Sequence, residues 1–284
     1  MDVIRQAGRF REATDAWRAA GETVGFVPTM GSLHAGHASL IRAARVASDR
    51  LAVSIFVNPL QFGATEDLDR YPRDEAADLA MAEREGVDLV WAPPVDEVYP
   101  PGMALPRPDP GPVGVTFEGA ARPGHFEGVL TVVHRLLEVA GPSRVYFGEK
   151  DAQQLFLIRR MVAELELPVE VIAFPTVREP DGLAMSSRNV LLSPAERDHA
   201  GCLFLALTEA ASLARGGERD ARVLVAAMAR EIGATPLAAL DYAAVVDERS
   251  FEPLAAFDRP ARALVAARFP GARLVDNLRL PDPS

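Results

Sequence analysis

The stretch Val24–Ser48, VGFVPTMGSLHAGHASLIRAARVAS, decides the fold. Residues 24–28 are a short apolar run of the kind that forms a buried strand, and His37–Ser48 spaces its apolar residues as a helix does. Between them lies a turn with glycines at 31 and 36 and two of the chain's five histidines, His34 and His37, three positions apart. A helix that begins this way presents unpaired backbone N–H groups and the positive end of its dipole, which favours anions. Strand, glycine turn, helix is the opening unit of an α/β sheet.

The same rhythm extends outward from this unit. RLAVSIFVN (50–58) leads into the loop PLQFGATEDLDRYPR (59–73), the helix DEAADLAMAEREG (74–86) and the strand VDLVWAP (87–93). RVYFGEK (144–150) precedes the helix DAQQLFLIRRMVAEL (151–165) and the strand PVEVIAFP (168–175). Apolar strands between amphipathic helices predict a doubly wound, Rossmann-like parallel sheet over residues 1–176. Its ligands belong beyond the carboxyl ends of the strands. The Pro- and Gly-rich segment 93–128 is expected to cover the site.

TVREPDGLAMSSRN (176–189) breaks the rhythm. Two helices follow, SPAERDHAGCLFLALTEAASLAR (193–215), with Ser193 as N-cap and Pro194 at its first position, and ERDARVLVAAMAREI (218–232). Strands LDYAAVVD, RALVAARF and ARLVDNLRL close the chain. Residues 177–284 are therefore predicted to form a smaller C-terminal α+β domain, expected to act as a lid.

Composition excludes several function classes. A net charge of −10 over 284 residues opposes binding to nucleic-acid backbones. No long uncharged apolar run suggests a membrane span, and the first residues lack a secretory pattern, so a cytoplasmic location is expected by default. Cys202 is the sole cysteine and lies in the apolar run GCLFLAL, where it reads as packing. No third His or Cys ligand lies near the histidine pair to build a zinc site. The alternative reading of that pair is structural, with one imidazole capping the helix and the other in solvent.

Other polar groups cluster where strands end. Asn58 and Gln61 are uncharged amides suited to a carboxylate or hydroxyl group. Gly148, Glu149, Lys150 and Asp151 close the strand 144–148. There Lys150 stands at a helix start, an unfavourable place for a cation unless an anion neutralises it. Gln153 and Gln154 follow, and one of them is expected to face the cleft while the other faces solvent. Ser186, Ser187 and Arg188 suit phosphate recognition. Asp78 reads by spacing as a surface carboxylate. The set holds no nucleophile elbow and no phosphate loop of the ATPase type. Phosphate positioning, with attack on an α-phosphate by a substrate oxygen, fits better than hydrolysis or redox chemistry.

Taken together, PTMGSLHAGH, VSIFVNPLQFG, DLDRYPR, RPGHFEGV.TVV, FGEKDAQQL, DGLAMSSRN and LVAARF.GARLVDN occur in an order and spacing that resembles the pantothenate synthetase (pantoate–β-alanine ligase) family. The His-x-Gly-His and Met-Ser-Ser-Arg pieces alone are similar to those of the wider superfamily of nucleotidyltransferases and class I aminoacyl-tRNA synthetases. The likeness is dense from Val24 to Asn189 and looser beyond. It implies an AMP-forming ligase that condenses (R)-pantoate with β-alanine through pantoyl adenylate, using ATP and Mg²⁺, as a homodimer. It further implies an ATP site of Met30, Gly31, Ser32, Leu33, His34, Ala35, Gly36, His37, Gly148, Glu149, Lys150, Asp151, Val177, Met185, Ser186, Ser187 and Arg188. His34, His37, Lys150 and Arg188 would be catalytic. Gln61, Gln154 and Asn58 would serve pantoate, Gln61 also β-alanine, and Asp78 the metal. Ala77 and Ala152 depart from residues common in the family. An adenylyltransferase whose product retains AMP, and a nucleotide-binding protein without catalysis, are the alternatives.

Overall fold

The computed structural model describes residues 1–63 and 68–282. The head of the DLDRYPR motif, Asp67, therefore lies outside the described residues. The chain divides into two compact units, Met1–Glu149 with Gln153–Pro175, and Lys150–Ala152 with Thr176–Ser284.

The first unit is built on β1 (Asp2–Ile4), β2 (Val24–Thr29), β3 (Arg50–Ile55), β4 (Leu89–Trp91), β5 (Arg144–Gly148) and β6 (Glu170–Phe174). They pair in parallel in the order β1-β4-β3-β2-β5-β6. Its helices are α1 (Ala7–Ala19), α2 (Ala35–Val46), α3 (Glu75–Arg84), α4 (Val95–Val98), α5 (Phe117–Ala121), α6 (His125–Ala140) and α7 (Ala152–Glu164). Because side chains alternate across a strand, the sheet feeds two cores. Phe26, Ala52, Leu89, Trp91 and Val145 pack on one face with Phe10 of α1 and with α6 and α7. Val27, Leu51, Val53, Val90 and Tyr146 pack on the other with α2 and with Ala82 of α3. Burying both faces accounts for the nearly unbroken apolar runs of β2 and β3.

The chain leaves β2 for β3 and β4 on one side, then returns to β5 and β6 on the other. The strand order thus reverses between β2 and β5, and a crevice at such a switch point is where open α/β sheets hold ligands. Thr29 ends β2 and Gly148 ends β5. The histidine turn and the GEKD segment leave the sheet at these two points.

Sequence reasoning missed α1, β1 and above all α6, the first turn of which begins inside the segment expected to be loop cover. Most residues of α6 are buried, from His125 through Ala140. A narrow polar stripe of Glu127, His134 and Glu138 marks its one open edge, and its β-branched valines and Gly128 lower its helix propensity.

The second unit contains the 3₁₀ turn Ser187–Leu191, α8 (Pro194–His199), α9 (Cys202–Arg215) and α10 (Ala221–Gly233). Strands β7 (Ala239–Asp247), β8 (Ala261–Arg268) and β9 (Arg273–Arg279) form an antiparallel sheet in that order. Ala206, Ala210 and Ala214 of α9 pack with Leu224 and Met228 of α10 and with Val265 of β8. The helix predicted over 193–215 is two helices, and the break falls at Gly201, a poor helix former. Ser193 caps α8 through a reciprocal pair with Glu196, and Cys202 is buried in this core.

Candidate functional site

The turn after β2 is held from beneath by Asp78 on α3. Its two carboxylate oxygens accept the backbone N–H groups of Ser32 (2.9 Å) and Leu33 (2.6 Å). Gly31 and Ser32 adopt left-handed backbone angles, with φ of 78° and 51°. A Cβ at position 31 would lie 2.7 Å from Asp78 Oδ2, so only glycine fits there. Thr29 Oγ1 accepts from Gly31 N and donates to the Ser54 carbonyl, fixing the start of the turn. Asp78 is buried, contrary to the surface carboxylate that spacing suggested. Burial pushes its carboxyl above the ordinary range, against the opposing pull of the Leu33 and Ser32 N–H groups.

Both histidines cap α2. His34 Nδ1 accepts from Gly36 N at 3.1 Å, and His37 Nδ1 accepts from His34 N at 3.3 Å. Their ring centroids are 4.1 Å apart. A neutral imidazole that accepts at Nδ1 carries its proton on Nε2. Capping therefore selects one tautomer in each ring and makes Nε2–H the donor of both. The structural and functional readings of the pair are compatible, because capping engages Nδ1 and places the proton on Nε2.

The amide pocket is defined by Asn58, which is 1% exposed. Its Oδ1 accepts from Leu60 N (3.2 Å) and from the Tyr99 hydroxyl (2.8 Å). Its Nδ2 donates to Gln61 Oε1 (3.0 Å) and to the Gly128 carbonyl (3.1 Å). Burial pushes the Tyr99 phenol above its ordinary value, so the hydroxyl stays a donor. All four hydrogen-bonding positions of the Asn58 amide are occupied, and this sets its orientation. Gln61 Oε1 must then face Asn58, and Gln61 Nε2 lies 3.0 Å from Met30 Sδ. A thioether is a weak acceptor, so this amide nitrogen retains donor capacity.

The main chain of Gln61 is held as well. Arg122 Nη1 lies 3.0 Å from His125 Nε2, and His125 Nδ1 lies 2.8 Å from the Gln61 carbonyl. A guanidinium only donates, so His125 Nε2 accepts and its Nδ1–H donates to Gln61. Gly128 lets the loop approach: a Cβ there would lie 2.1 Å from the Leu60 carbonyl oxygen. Tyr99, Arg122, His125 and Gly128 were not assigned roles from sequence. The last three lie in RPGHFEG, a motif recognised as part of the resemblance but given no chemistry.

Of the two glutamines on α7, Gln153 is the buried one and faces protein rather than solvent. It accepts from Glu118 N and donates to the carbonyls of Val113 and Thr116, tying down the segment before α5. Gln154 is half-buried. Gly148, at the carboxyl end of β5, has open space where a Cβ would project.

In the second unit, Lys150 sits in the 3₁₀ turn Glu149–Asp151, with Nζ 3.6 Å from Asp151 Oδ1. Val177 and Met185 pair through Met185 N and the Val177 carbonyl at 2.9 Å, closing a hairpin. Ser186 caps the following turn by accepting from Arg188 N at 3.2 Å, with Ser187 the first residue of that turn. Asn189 Nδ2 donates to Glu179 and to the Ala184 carbonyl. Arg178 grips Asp276 with two N–H groups, at 2.5 and 3.0 Å. Burial pushes the Asp276 carboxyl up while Arg178 draws it down.

Among the described residues no group of three or more His, Cys, Asp or Glu side chains is arranged to hold a metal ion. None of the described helices is long and apolar enough to cross a membrane.

Residues 2–279 match the family model described as pantoate-beta-alanine ligase. The chain is 52% identical over 277 residues to the pantothenate synthetase of Roseiflexus castenholzii, covering 98% of both. A solved pantothenate synthetase from Thermus thermophilus superimposes with a TM-score of 0.94 at 47% identity, covering 99% of this chain and 100% of that one. A pantoate-beta-alanine ligase from Francisella tularensis, solved with beta-gamma ATP and beta-alanine, gives 0.80 at 31% identity, covering 98% and 97%.

Proposed function

This chain belongs to the pantoate–β-alanine ligase family, whose members condense pantoate with β-alanine at the expense of ATP, and from that premise we propose how its residues divide the work. Pantoate's carboxylate oxygen attacks the α-phosphorus of ATP, the bond to the bridging oxygen breaks, and pyrophosphate leaves. The neutral amine of β-alanine then attacks the acyl carbon of the adenylate. AMP departs with the bonding electrons and the amide remains.

The observation that carries this division is the doubly capped imidazole pair at the carboxyl end of β2. Its two Nε2–H donors and the N-terminus of α2 favour negative charge as the α-phosphate becomes pentacoordinate. Met30 to His37 and Gly148 to Asp151 are the ATP-binding segments in this reading, together with Val177 and Met185 to Arg188. Lys150 and Arg188 neutralise the phosphates, Ser186 lies on them as a neutral hydrogen-bond partner, and Ser187 completes the nucleotide pocket. Gln61 and Gln154 hold pantoate, and Gln61 also touches β-alanine. Asn58, its amide saturated by protein, acts on pantoate only by orienting Gln61. Neutral amides suit a carboxylate that must stay nucleophilic, because a salt bridge to the ground state would lower its reactivity.

Mg²⁺ is part of this reading as a companion of ATP. Among the described residues Asp78 does not fit a resident ion: it is buried and its carboxylate is engaged by two N–H groups, and residue 77 is alanine. Magnesium commonly keeps its waters and binds through substrate phosphates.

The test is a pyrophosphate-release assay with ATP–Mg²⁺ and (R)-pantoate, with β-alanine added afterwards. Pyrophosphate is expected at about one equivalent per site before β-alanine is added, with free AMP only after. Pyrophosphate release that requires β-alanine would contradict a separate adenylation step.

A further inference from the structure

We infer that Asn277, on β9, is a positioning residue for adenylation, acting through the main chain of Lys150. Asn277 Nδ2 donates to the Lys150 carbonyl at 2.7 Å, across 127 positions of sequence. The amide cannot be turned around, because its Oδ1 accepts from Arg262 at 2.5 Å and a guanidinium only donates. Asn277 is 4% exposed, so water competes little for this bond. Lys150–Ala152 group with the second unit rather than with the strand and helix they join.

The preceding residue extends the device to the serine–arginine hairpin. Asp276 holds Arg178, whose Nη1 also donates to the Gly182 carbonyl within that hairpin and whose guanidinium lies 4.3 Å over the Phe204 ring. Asp276 Oδ1 in turn accepts from Asn277 N at 2.8 Å. One dipeptide of β9 thus anchors both the Lys150 turn and the hairpin that leads to Arg188. The residue so anchored is itself singular: of 30 cationic Lys and Arg residues in the chain, Lys150 is the only lysine.

The inference rests on the reading of Lys150 as an ATP ligand, and its test separates the two. Asn277→Asp removes the donor to Lys150 while keeping an acceptor for Arg262. Asn277→Ala serves if the added buried charge prevents folding. Because there is one lysine, labelling with lysine enriched in ¹³C at the carbonyl reports a single resonance from the accepting group itself. Either variant is expected to shift that resonance and to lower kcat/KM for ATP in pyrophosphate release about tenfold. KM for pantoate and the attack of β-alanine on preformed adenylate should hold steady. In a Lys150→Ala background the same substitution should add nothing to the defect in ATP affinity. A shifted resonance with wild-type ATP kinetics would overturn the inference, as would equal losses in both half-reactions. Full additivity with Lys150→Ala would overturn it too. Wild-type ATP kinetics in Lys150→Ala alone would instead overturn the reading of the lysine.

Discussion

His34 and His37 each engage Nδ1 in capping α2, so the protein's local geometry chooses which nitrogen carries the proton. The pair's place in a glycine-flanked strand-to-helix turn was readable from sequence. The tautomers were not, because they depend on which backbone N–H groups the rings reach. The same division holds at Lys150. Its position before a helix was legible, but its carbonyl's bond to a side chain on β9 was not, because contacts so distant in sequence leave no local pattern. Arginine fills every other position of the Lys and Arg total, which argues that a compact ammonium is needed at 150 rather than a planar fork. Lys150→Arg is therefore expected to lower kcat/KM for ATP by about tenfold or more, measured as initial rates at varied ATP. Wild-type rates would reduce the lysine to a generic cation.

At the scale of elements, the contact of α6 with the loop 58–61 builds the amide pocket. Strands β2 to β6 were legible because a sheet buried on both faces requires apolar runs bounded by turns, whereas β1 is three largely exposed residues at the sheet edge. The helix α6 escaped because its β-branched valines and Gly128 lower helix propensity, although Glu127, His134 and Glu138 fall at helical spacing on its open edge. Its glycine is nevertheless demanding: the Cβ of Gly128→Ala would collide with Leu60 backbone, which cannot rotate away as a side chain would. That variant should lose about 1–3 kcal/mol of stability and raise KM for pantoate more than KM for ATP. Denaturant melts and paired titrations of the two substrates check it. A change in ATP affinity alone would mean the loop is misassigned.

The turn after β7 offers a pH-dependent counterpart. Burial pushes the Asp247 carboxyl up, but N–H donors of Ser250 and Arg249, with the Arg259 guanidinium, outweigh it and leave it below its ordinary value. A depressed carboxylate contributes stability above its unfolded pKa and loses it as pH falls through the folded one. Asp247→Asn should therefore destabilise the protein at pH 7, and the gap from wild type should close as pH falls below about 3.9. Melting temperatures of both proteins across that range measure it, and a gap independent of pH would refute the assignment.

At the scale of the whole molecule, the motif set identified the family. A homodimer, which the family resemblance implies, predicts sedimentation at twice the mass of one chain, and a single-chain mass at micromolar concentration would exclude it. The central claim is that the capped imidazoles drive adenylation. Its most direct test is single-turnover pyrophosphate formation by His37→Ala with ATP–Mg²⁺ and (R)-pantoate, alongside the β-alanine step measured on preformed adenylate. The account predicts a loss of roughly 10²-fold or more in the first step, with the second little changed and the fold intact by circular dichroism. A first step that runs near the wild-type rate would contradict it.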